Sequence, residues 1–323
     1  LSELSFSDKL KKAILARSLY FEMGKNNCFR VFNAEGDGLD GLTIDFYDGH
    51  LLVQYFNKEV EDSIFDYIAV IGNQTPYFPV PVKSILLKNR KTVRGKQNFD
   101  DIRDSKIVEG DYPEEGIVVL HNGVSVKVDL VHGQSTGIFM DMGQVRADME
   151  EKYRSGKIKS MLNLFSYTGV FSVHGLKNGV SNSINVDLSK AVLKRARGNY
   201  EINSLKVDER DFVYGDAAEW VKILAKKERK FDLVIFDPPT FARNRKKKFS
   251  VKRDYLTFLK AIAEIVNEGG FVLSSVNSYS VSKEDYFQCH PHGWELVRFW
   301  TESADFKYSA NHYLKVGLWK PGV

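Results

Sequence analysis

The run Phe231-Asp-Leu-Val-Ile-Phe236 leads directly into Asp237-Pro238-Pro239-Thr240-Phe241, and no other segment constrains the fold as tightly. A short, almost wholly apolar run of this kind predicts a buried parallel strand, because a strand covered on both faces has no polar side to show. Prolines cannot continue a central strand, so it must end at Phe236. In open α/β sheets, ligands bind just beyond the carboxyl ends of such strands. A carboxylate, two rigid prolines and an aromatic ring at that edge suit a flat, hydrogen-bonding substrate such as a nucleobase. Taken alone, the segment reads equally well as a strand followed by a proline-rich turn.

Four further segments favour the ligand edge. Lys159 to Phe165 reads as a strand, Ser166-Tyr167-Thr168-Gly169 as a tight turn, and Val170 to Asn178 as a helix. That unit brings a helix N-terminus to a cofactor. Ser183 to Asp187 is a second strand whose acid lies eighteen residues beyond Gly169, the place where a ribose diol is gripped. Phe212 to Asp216 is a third, ending in an acid next to Ala217 that can accept from an adenine amino group. Phe271 to Asn277 is another, placed after a predicted helix stop at Asn267-Glu-Gly-Gly270. Helix N-caps are the competing assignment for Asp187 and Asp216, since helix-like stretches follow both.

No GxGxxG occurs in this region and no GxxxxGK[ST] occurs anywhere. The first absence argues against a dinucleotide and hydride transfer, the second against a nucleoside triphosphate. An adenosine-type ligand without phosphates fits what remains, and S-adenosylmethionine is the common ligand of that description.

Several stretches, in order, carry a resemblance over most of the chain. They are Glu35-Gly-Asp-Gly-Leu-Asp-Gly-Leu-Thr-Ile-Asp45, Leu87-Lys88-Asn89-Arg90 with Arg94-Gly95, Ser135-Thr-Gly-Ile-Phe139-Met-Asp141 with Arg146, Asn163-Leu-Phe165-Ser-Tyr-Thr-Gly169, and Asp237-Pro-Pro-Thr-Phe241. With these, the chain resembles the class I S-adenosylmethionine-dependent rRNA methyltransferases of the bacterial large subunit. It is most similar to the domain that methylates N7 of guanine in 23S rRNA, with the cytosine C5 methyltransferases as more distant relatives. The resemblance implies a Rossmann-like α/β sheet, parallel with an antiparallel edge pair, preceded by a smaller α+β domain. It also implies a cofactor site of Phe139, Asp141, Arg146, Asn163, Phe165, Ser166, Tyr167, Thr168, Gly169, Asp187, Leu188, Asp216, Ala217 and Asp237. Phe139, Asp141 and Arg146 would help to close that pocket. Many relatives carry an N-terminal RNA-binding domain, and this chain starts at the helix that would follow it.

The domain expectation is a small unit over residues 1–130 and a cofactor-binding unit over residues 131–323. Residues 7–23 predict an amphipathic helix, and 59–72 another. Phe29 to Asn33, Leu42 to Phe46, Leu51 to Phe56 and Ser84 to Lys88 predict strands. Ile117 to Leu120 and Val124 to Leu130 flank Asn122-Gly123, the strongest hairpin signal present. At the end, Leu296 to Thr301 and Tyr313 to Trp319 follow one another without a helix, which predicts an antiparallel pair. Two cysteines give neither a disulfide framework nor a zinc pattern, and no run of 18 apolar residues exists. A cytoplasmic protein without metal or membrane partner is expected, and an upstream piece is expected to have been trimmed.

Methyl transfer from a sulfonium is an in-line displacement by a donor already activated, so positioning is the protein's main task. Carbon-5 of cytosine needs a thiolate to add to the ring first. In the cytosine-modifying relatives that cysteine follows the fifth strand, where this chain has Asn277. Cys28 and Cys289 fall outside the strand ends. N7 of guanine has a lone pair and no proton, so Asp237, Pro238, Pro239, Phe241 and Asn277 would suffice to hold it. An exocyclic amine would use much the same apparatus. Arg243, Arg245, Lys246, Lys247 and Lys248, with Lys252 and Arg253, place seven cations within eleven residues, directly after the turn. Phosphate contact is expected there, with Lys88, Arg90 and Arg94 as a second patch, and 23S rRNA as the partner. A fold that binds RNA or cofactor without turnover is the reading from another class.

Overall fold

The computed structural model describes residues 4–91, 104–239, 251–308 and 311–322. The chain divides into two compact units, Leu1–Asp141 with Ser303–Ala310, and Met142–Glu302 with Asn311–Val323. The first unit extends past the expected residue 130, and a short C-terminal segment returns to it.

The first unit opens with helix α1 (Phe6–Arg17). Its Ser5 cap accepts a hydrogen bond from the Asp8 N–H, as an exposed first turn requires. Strands β1 (Cys28–Asn33), β2 (Leu42–Tyr47), β3 (His50–Tyr55), β4 (Ser84–Asn89) and β5 (Lys106–Gly110) form one sheet in that order. All pairs are antiparallel except β3 with β4. That parallel pair needs a crossover, and helices α2 (Lys58–Asp62) and α3 (Ile64–Asn73) supply it. Asp48 and Gly49 both have positive φ, which matches the twist of the two-residue hairpin between β2 and β3. The pair β6 (Ile117–His121) and β7 (Val124–Val128) turns the same way through Asn122-Gly123. Leu10, Ile14, Phe32, Ile44, Phe46, Val53 and Ile85 meet in the core.

Two predicted helices are shorter than their periodicity suggested. The first stops at Arg17, which turns inward to the Asp37 carboxylate at 2.6 Å and the Asp305 carbonyl at 2.8 Å. The second breaks at Ser63, between α2 and α3.

The second unit is a three-layer α/β sandwich. After α4 (Gly143–Arg154) the chain alternates β8 (Ser160–Leu164), α5 (Val170–Lys177), β9 (Asn182–Asp187), α6 (Lys190–Ile202), β10 (Phe212–Tyr214), α7 (Ala217–Lys226), β11 (Phe231–Phe236), α8 (Val251–Ala263) and β12 (Val266–Asn277). Then come α9 (Lys283–Gln288), β13 (Glu295–Trp300) and β14 (Leu314–Lys320). The seven strands lie in the order β10-β9-β8-β11-β12-β14-β13. The first five are mutually parallel, and β14 runs antiparallel to both its neighbours. Successive residues of β11 serve opposite faces: Val234 and Phe236 pack with α7 and α8, while Leu233 and Ile235 pack with α4 and α5. This two-sided burial is why the strand reads as a continuous apolar run.

One prediction is corrected. Asn267-Glu-Gly-Gly270 is not a helix stop, since α8 ends at Ala263 and these residues lie within β12. The pairing with β11 jumps from Phe231–Val266 to Leu233–Phe271, so the four residues bulge. Gly269 has φ +73°, and the Asn267 amide closes the bulge on Asp232 at 2.7 Å.

Burial pushes the Asp305 carboxyl up to about 6, while the Arg30 N–H at 2.9 Å and the Arg30 and Arg17 guanidinia draw it back. A raised carboxyl favours the fold most below about pH 4, and that contribution is lost as pH rises through about 6. Asp305→Asn should therefore gain stability relative to the parent between pH 4 and pH 7, by about 3 kcal/mol at most. Urea midpoints at the two pH values measure it, and a pH-independent difference would contradict the assignment.

Candidate active site

Strand register brings the candidate residues of the second unit to one edge. Leu164 pairs with both Val186 and Phe236, and Phe236 with Ser274. Asp187 pairs with Tyr214. The carboxyl ends of β8, β9, β10 and β11 are thus level to within a residue, and β12 runs three residues further, to Asn277. The order reverses between β8 and β11, the switch point at which such sheets bind ligands.

The turn after β8 is tightly coiled. Phe165, Tyr167 and Gly169 all have positive φ, and only glycine adopts that region freely. A Cβ on Gly169 would also stand 3.2 Å from the Ala196 Cβ and 3.3 Å from Asn185 Oδ1. Beneath the turn runs a buried polar chain. Asn163 donates to Ser172 at 3.0 Å, Ser172 to Asn185 at 2.7 Å, and Asn185 to the Tyr200 hydroxyl at 2.9 Å. Asn199 donates to the Thr168 carbonyl at 2.9 Å. Asn163 and Thr168 therefore sit in the supports of the turn. The Phe165 ring lies beside Phe236 and Phe258. Ser166 is buried, and its hydroxyl has no hydrogen-bond partner within the protein, which suits an atom meant for a ligand.

The two acids differ in what they already do. Asp187 accepts the Tyr167 N–H on one oxygen at 3.0 Å and the Ser189 N–H on the other at 2.9 Å. Burial raises its carboxyl, and these backbone N–H groups, with that of Leu188, pull it back. The cap of α6 is Ser189, which accepts from Val192. Asp187 is therefore not the helix cap, and with three backbone donors on a carboxylate that can accept about four, it keeps capacity for a hydroxyl. Leu188 beside it is exposed. Asp216 does cap α7, taking the N–H groups of Ala218 at 2.9 Å and Glu219 at 3.1 Å on one oxygen. Its neighbour Ala217 is buried.

At the end of β11 the Asp237 carboxylate accepts the Ser275 hydroxyl from β12. Ser275 is buried, and its carbonyl takes the Tyr255 hydroxyl at 3.0 Å. Sequence reading passed over Ser275. The signal was a pair of serines inside an apolar strand, one of which had to face the acid. Pro238 is buried and Pro239 exposed, while Asn277 is exposed where β12 ends. Phe241, Arg243, Arg245, Lys246, Lys247, Lys248 and Arg94 lie outside the described residues.

Other candidates have separate places. Phe139 and Asp141 belong to the first unit. Phe139 is exposed, and the Asp141 carbonyl accepts the Ser303 N–H at 2.8 Å. Arg146 is buried on α4, 5.4 Å from the Phe171 ring. Lys88 corrects an expectation: it is 2% exposed and donates to the Gly133 carbonyl. Burial and the nearby Arg90 lower it to about 8. It ties down a loop and has no surface to offer a phosphate. Arg90 holds the same loop through the Gln134 carbonyl at 2.6 Å and also donates to Gln54 at 2.8 Å.

Neither cysteine ends a strand of the parallel sheet. Cys28 is buried in the first unit, and Cys289 packs against the core of the second. His290 Nδ1 donates to the Tyr286 carbonyl and Nε2 meets the Ser274 hydroxyl, both at 2.8 Å, and the ring stacks on Trp319. Burial lowers it to about 4, as befits a core histidine. Among the described residues there is no group of three metal-ligating side chains, and no helix is long and apolar enough to cross a membrane.

Residues 29–290 match the family described as S-adenosylmethionine-dependent methyltransferase. The Bacillus subtilis protein YwbD, whose name proposes a ribosomal RNA large subunit methyltransferase, is 33% identical over 97% of this chain and 79% of its own length. The ribosomal RNA large subunit methyltransferase I of Pseudoalteromonas translucida is 32% identical over 83% of this chain, which spans 65% of that protein. Among solved structures, SMU.776, titled a methyltransferase candidate complexed with SAH, superposes with a TM-score of 0.88 at 27% identity, covering 99% of this chain and 83% of that one.

The residues present fit S-adenosylmethionine: an unpartnered buried hydroxyl at Ser166, a Gly169 turn with no room for a Cβ, and acids at two strand tips. Asp187→Ala should weaken S-adenosylhomocysteine binding about 10- to 100-fold, the worth of hydrogen bonds to a charged group. Calorimetric titration reads this directly. Unchanged affinity would remove Asp187 from the ribose site.

Proposed function

This chain belongs to the S-adenosylmethionine-dependent methyltransferase family, and from that premise we propose that it methylates a base of RNA, a guanine of 23S rRNA. The observation that carries the reading is the Asp237-Pro238-Pro239 turn, whose carboxylate is held by Ser275 at the level edge of the sheet. In this reading the Asp237 carboxylate, held by the serine hydroxyl, accepts from the N–H donors of the guanine Watson–Crick edge. Bound S-adenosylmethionine supplies an activated methyl group. The chain's own work is to bind, orient and exclude water.

Support comes also from the names of the relatives, which place their substrate in the large ribosomal subunit. Asn277 stands where the cytosine-modifying relatives have cysteine, while Cys28 opens β1 of the first unit and Cys289 caps the end of α9. That favours an acceptor nitrogen, which needs no covalent nucleophile. An exocyclic amine is the second reading, favoured by the same carboxylate. In this reading residues 131–323 hold the cofactor, and residues 1–130 contact RNA together with the Arg243 to Lys248 run. The reaction takes place in the cytoplasm, where rRNA is made in bacteria.

Methyl transfer from labelled cofactor to unmodified rRNA, followed by nucleoside mass spectrometry, tests the reading. Label in 7-methylguanosine is the expected result. Label in 5-methylcytidine would overturn the cysteine-free chemistry, and cofactor binding without label in RNA would move the acceptor to another class. Replacing Arg243, Arg245, Lys246, Lys247 and Lys248 by glutamine should weaken RNA binding, with a salt slope shallower by about 1 for each phosphate no longer neutralised. An unchanged slope would remove this run from the RNA interface.

A further inference from the structure

A buried charge cluster lies at the same sheet edge, two strands away from Asp237. Lys315 is 4% exposed on β14, directly after Leu314, which pairs with Asn277. Its ammonium donates to the Ser278 carbonyl and to the His312 carbonyl, both at 2.8 Å. Burial lowers its affinity for the proton, and Glu302 opposes that shift. The Glu302 side chain is 1% exposed and has no hydrogen-bond partner on either oxygen, with His312 Nδ1 at 3.2 Å. Lys315 and Glu302 are thus two buried groups of opposite charge, with His312 rather than Lys315 beside the carboxylate, placed where β13 and β14 meet the turn after β12.

Such a pair is a poor way to gain stability. Hydrophobic side chains of the same volume are often as good or better, because two ions must be stripped of water. What the ammonium provides is direction, since it fixes two carbonyls from separate segments. The Ser278 N–H is bonded in turn to the Tyr313 carbonyl at 2.7 Å. The turn is therefore held by its backbone ladder and by a charge. On it stand the exposed Asn277 and Tyr279, the latter 72% exposed with its ring tilted 5.5 Å from Tyr313. An amide and two phenol rings are groups that hydrogen-bond and stack on a base.

We propose that Lys315 is a positioning residue for methyl transfer: it clamps the Ser278 and His312 carbonyls so that Asn277 and Tyr279 face the acceptor base. The clamp rests on the reading that the acceptor is a base held at this edge. It acts through the turn and touches neither cofactor nor reacting atoms.

Lys315→Met in the full chain tests this through two readouts. Hydrogen exchange should accelerate in residues 277–280 while β11 stays protected, whatever the substrate. On unmodified rRNA, kcat should fall by about 100-fold, as misplacement of about an ångström does, with S-adenosylhomocysteine affinity unchanged. Ethylammonium should restore part of the activity to Lys315→Ala. If Lys315→Met does not fold, Lys315→Gln, which keeps a shorter donor without the charge, is read in the same way. Unaltered exchange would overturn the clamp. Faster exchange with undiminished kcat would overturn its role in positioning, and so would loss of cofactor binding in step with kcat. A parent protein inactive on RNA would defeat the reading of function instead, and the exchange result would still decide whether the clamp exists.

Discussion

The carboxylate of Asp187 is the interaction on which the rest of the site depends. It reaches from the end of β9 to the Tyr167 N–H, in the middle of a turn with three residues at positive φ. A turn of that kind is strained unless its surroundings over-determine it. Asp187 supplies one constraint from the neighbouring strand, and the Asn163–Ser172–Asn185–Tyr200 chain supplies another from below. With the turn fixed, the N-terminus of α5 is fixed too, and the cofactor site has a floor.

The same carboxylate is proposed to serve fold and ligand together. It accepts the backbone N–H groups of Tyr167, Ser189 and Leu188 and keeps capacity for one more donor. Burial would raise its proton affinity, and the backbone donors offset that, so the group can remain an acceptor. Asp237 follows a related logic at β11. There the partner is the Ser275 hydroxyl of the neighbouring strand rather than a backbone N–H. Level strand ends make both arrangements possible, because they place groups far apart in the chain along a single edge.

Much of this was legible in the sequence, for a physical reason. A strand buried on both faces reads as an apolar run, so Phe231 to Phe236 announced itself and the acid that follows it, Asp237. Asn122-Gly123 and Asp48-Gly49 announced their turns through the φ they must adopt. Less legible were features set by tertiary partners. The Asn267–Gly270 glycines look the same whether they cap a helix or form a bulge, and only pairing with β11 decides. Lys88 looks like any surface cation until Gly133 and the burial around it are seen. Ser275 and Lys315 matter through neighbours 38 and 37 residues away, beyond the reach of any local pattern. Helix N-cap and ligand acid are also indistinguishable in sequence. The structure separates them, with Ser189 as the cap beside Asp187 and Asp216 as a cap in its own right.

Cofactor and acceptor must meet where β8 and β11 part, and a crystal structure with S-adenosylhomocysteine bound tests that most directly. The ribose hydroxyls are predicted to lie on the Asp187 carboxylate, with the sulfur turned toward Asp237 and the amino-acid end against the Ser166 to Gly169 turn. A ligand whose ribose lies elsewhere, or whose sulfur faces away from Asp237, would contradict this arrangement.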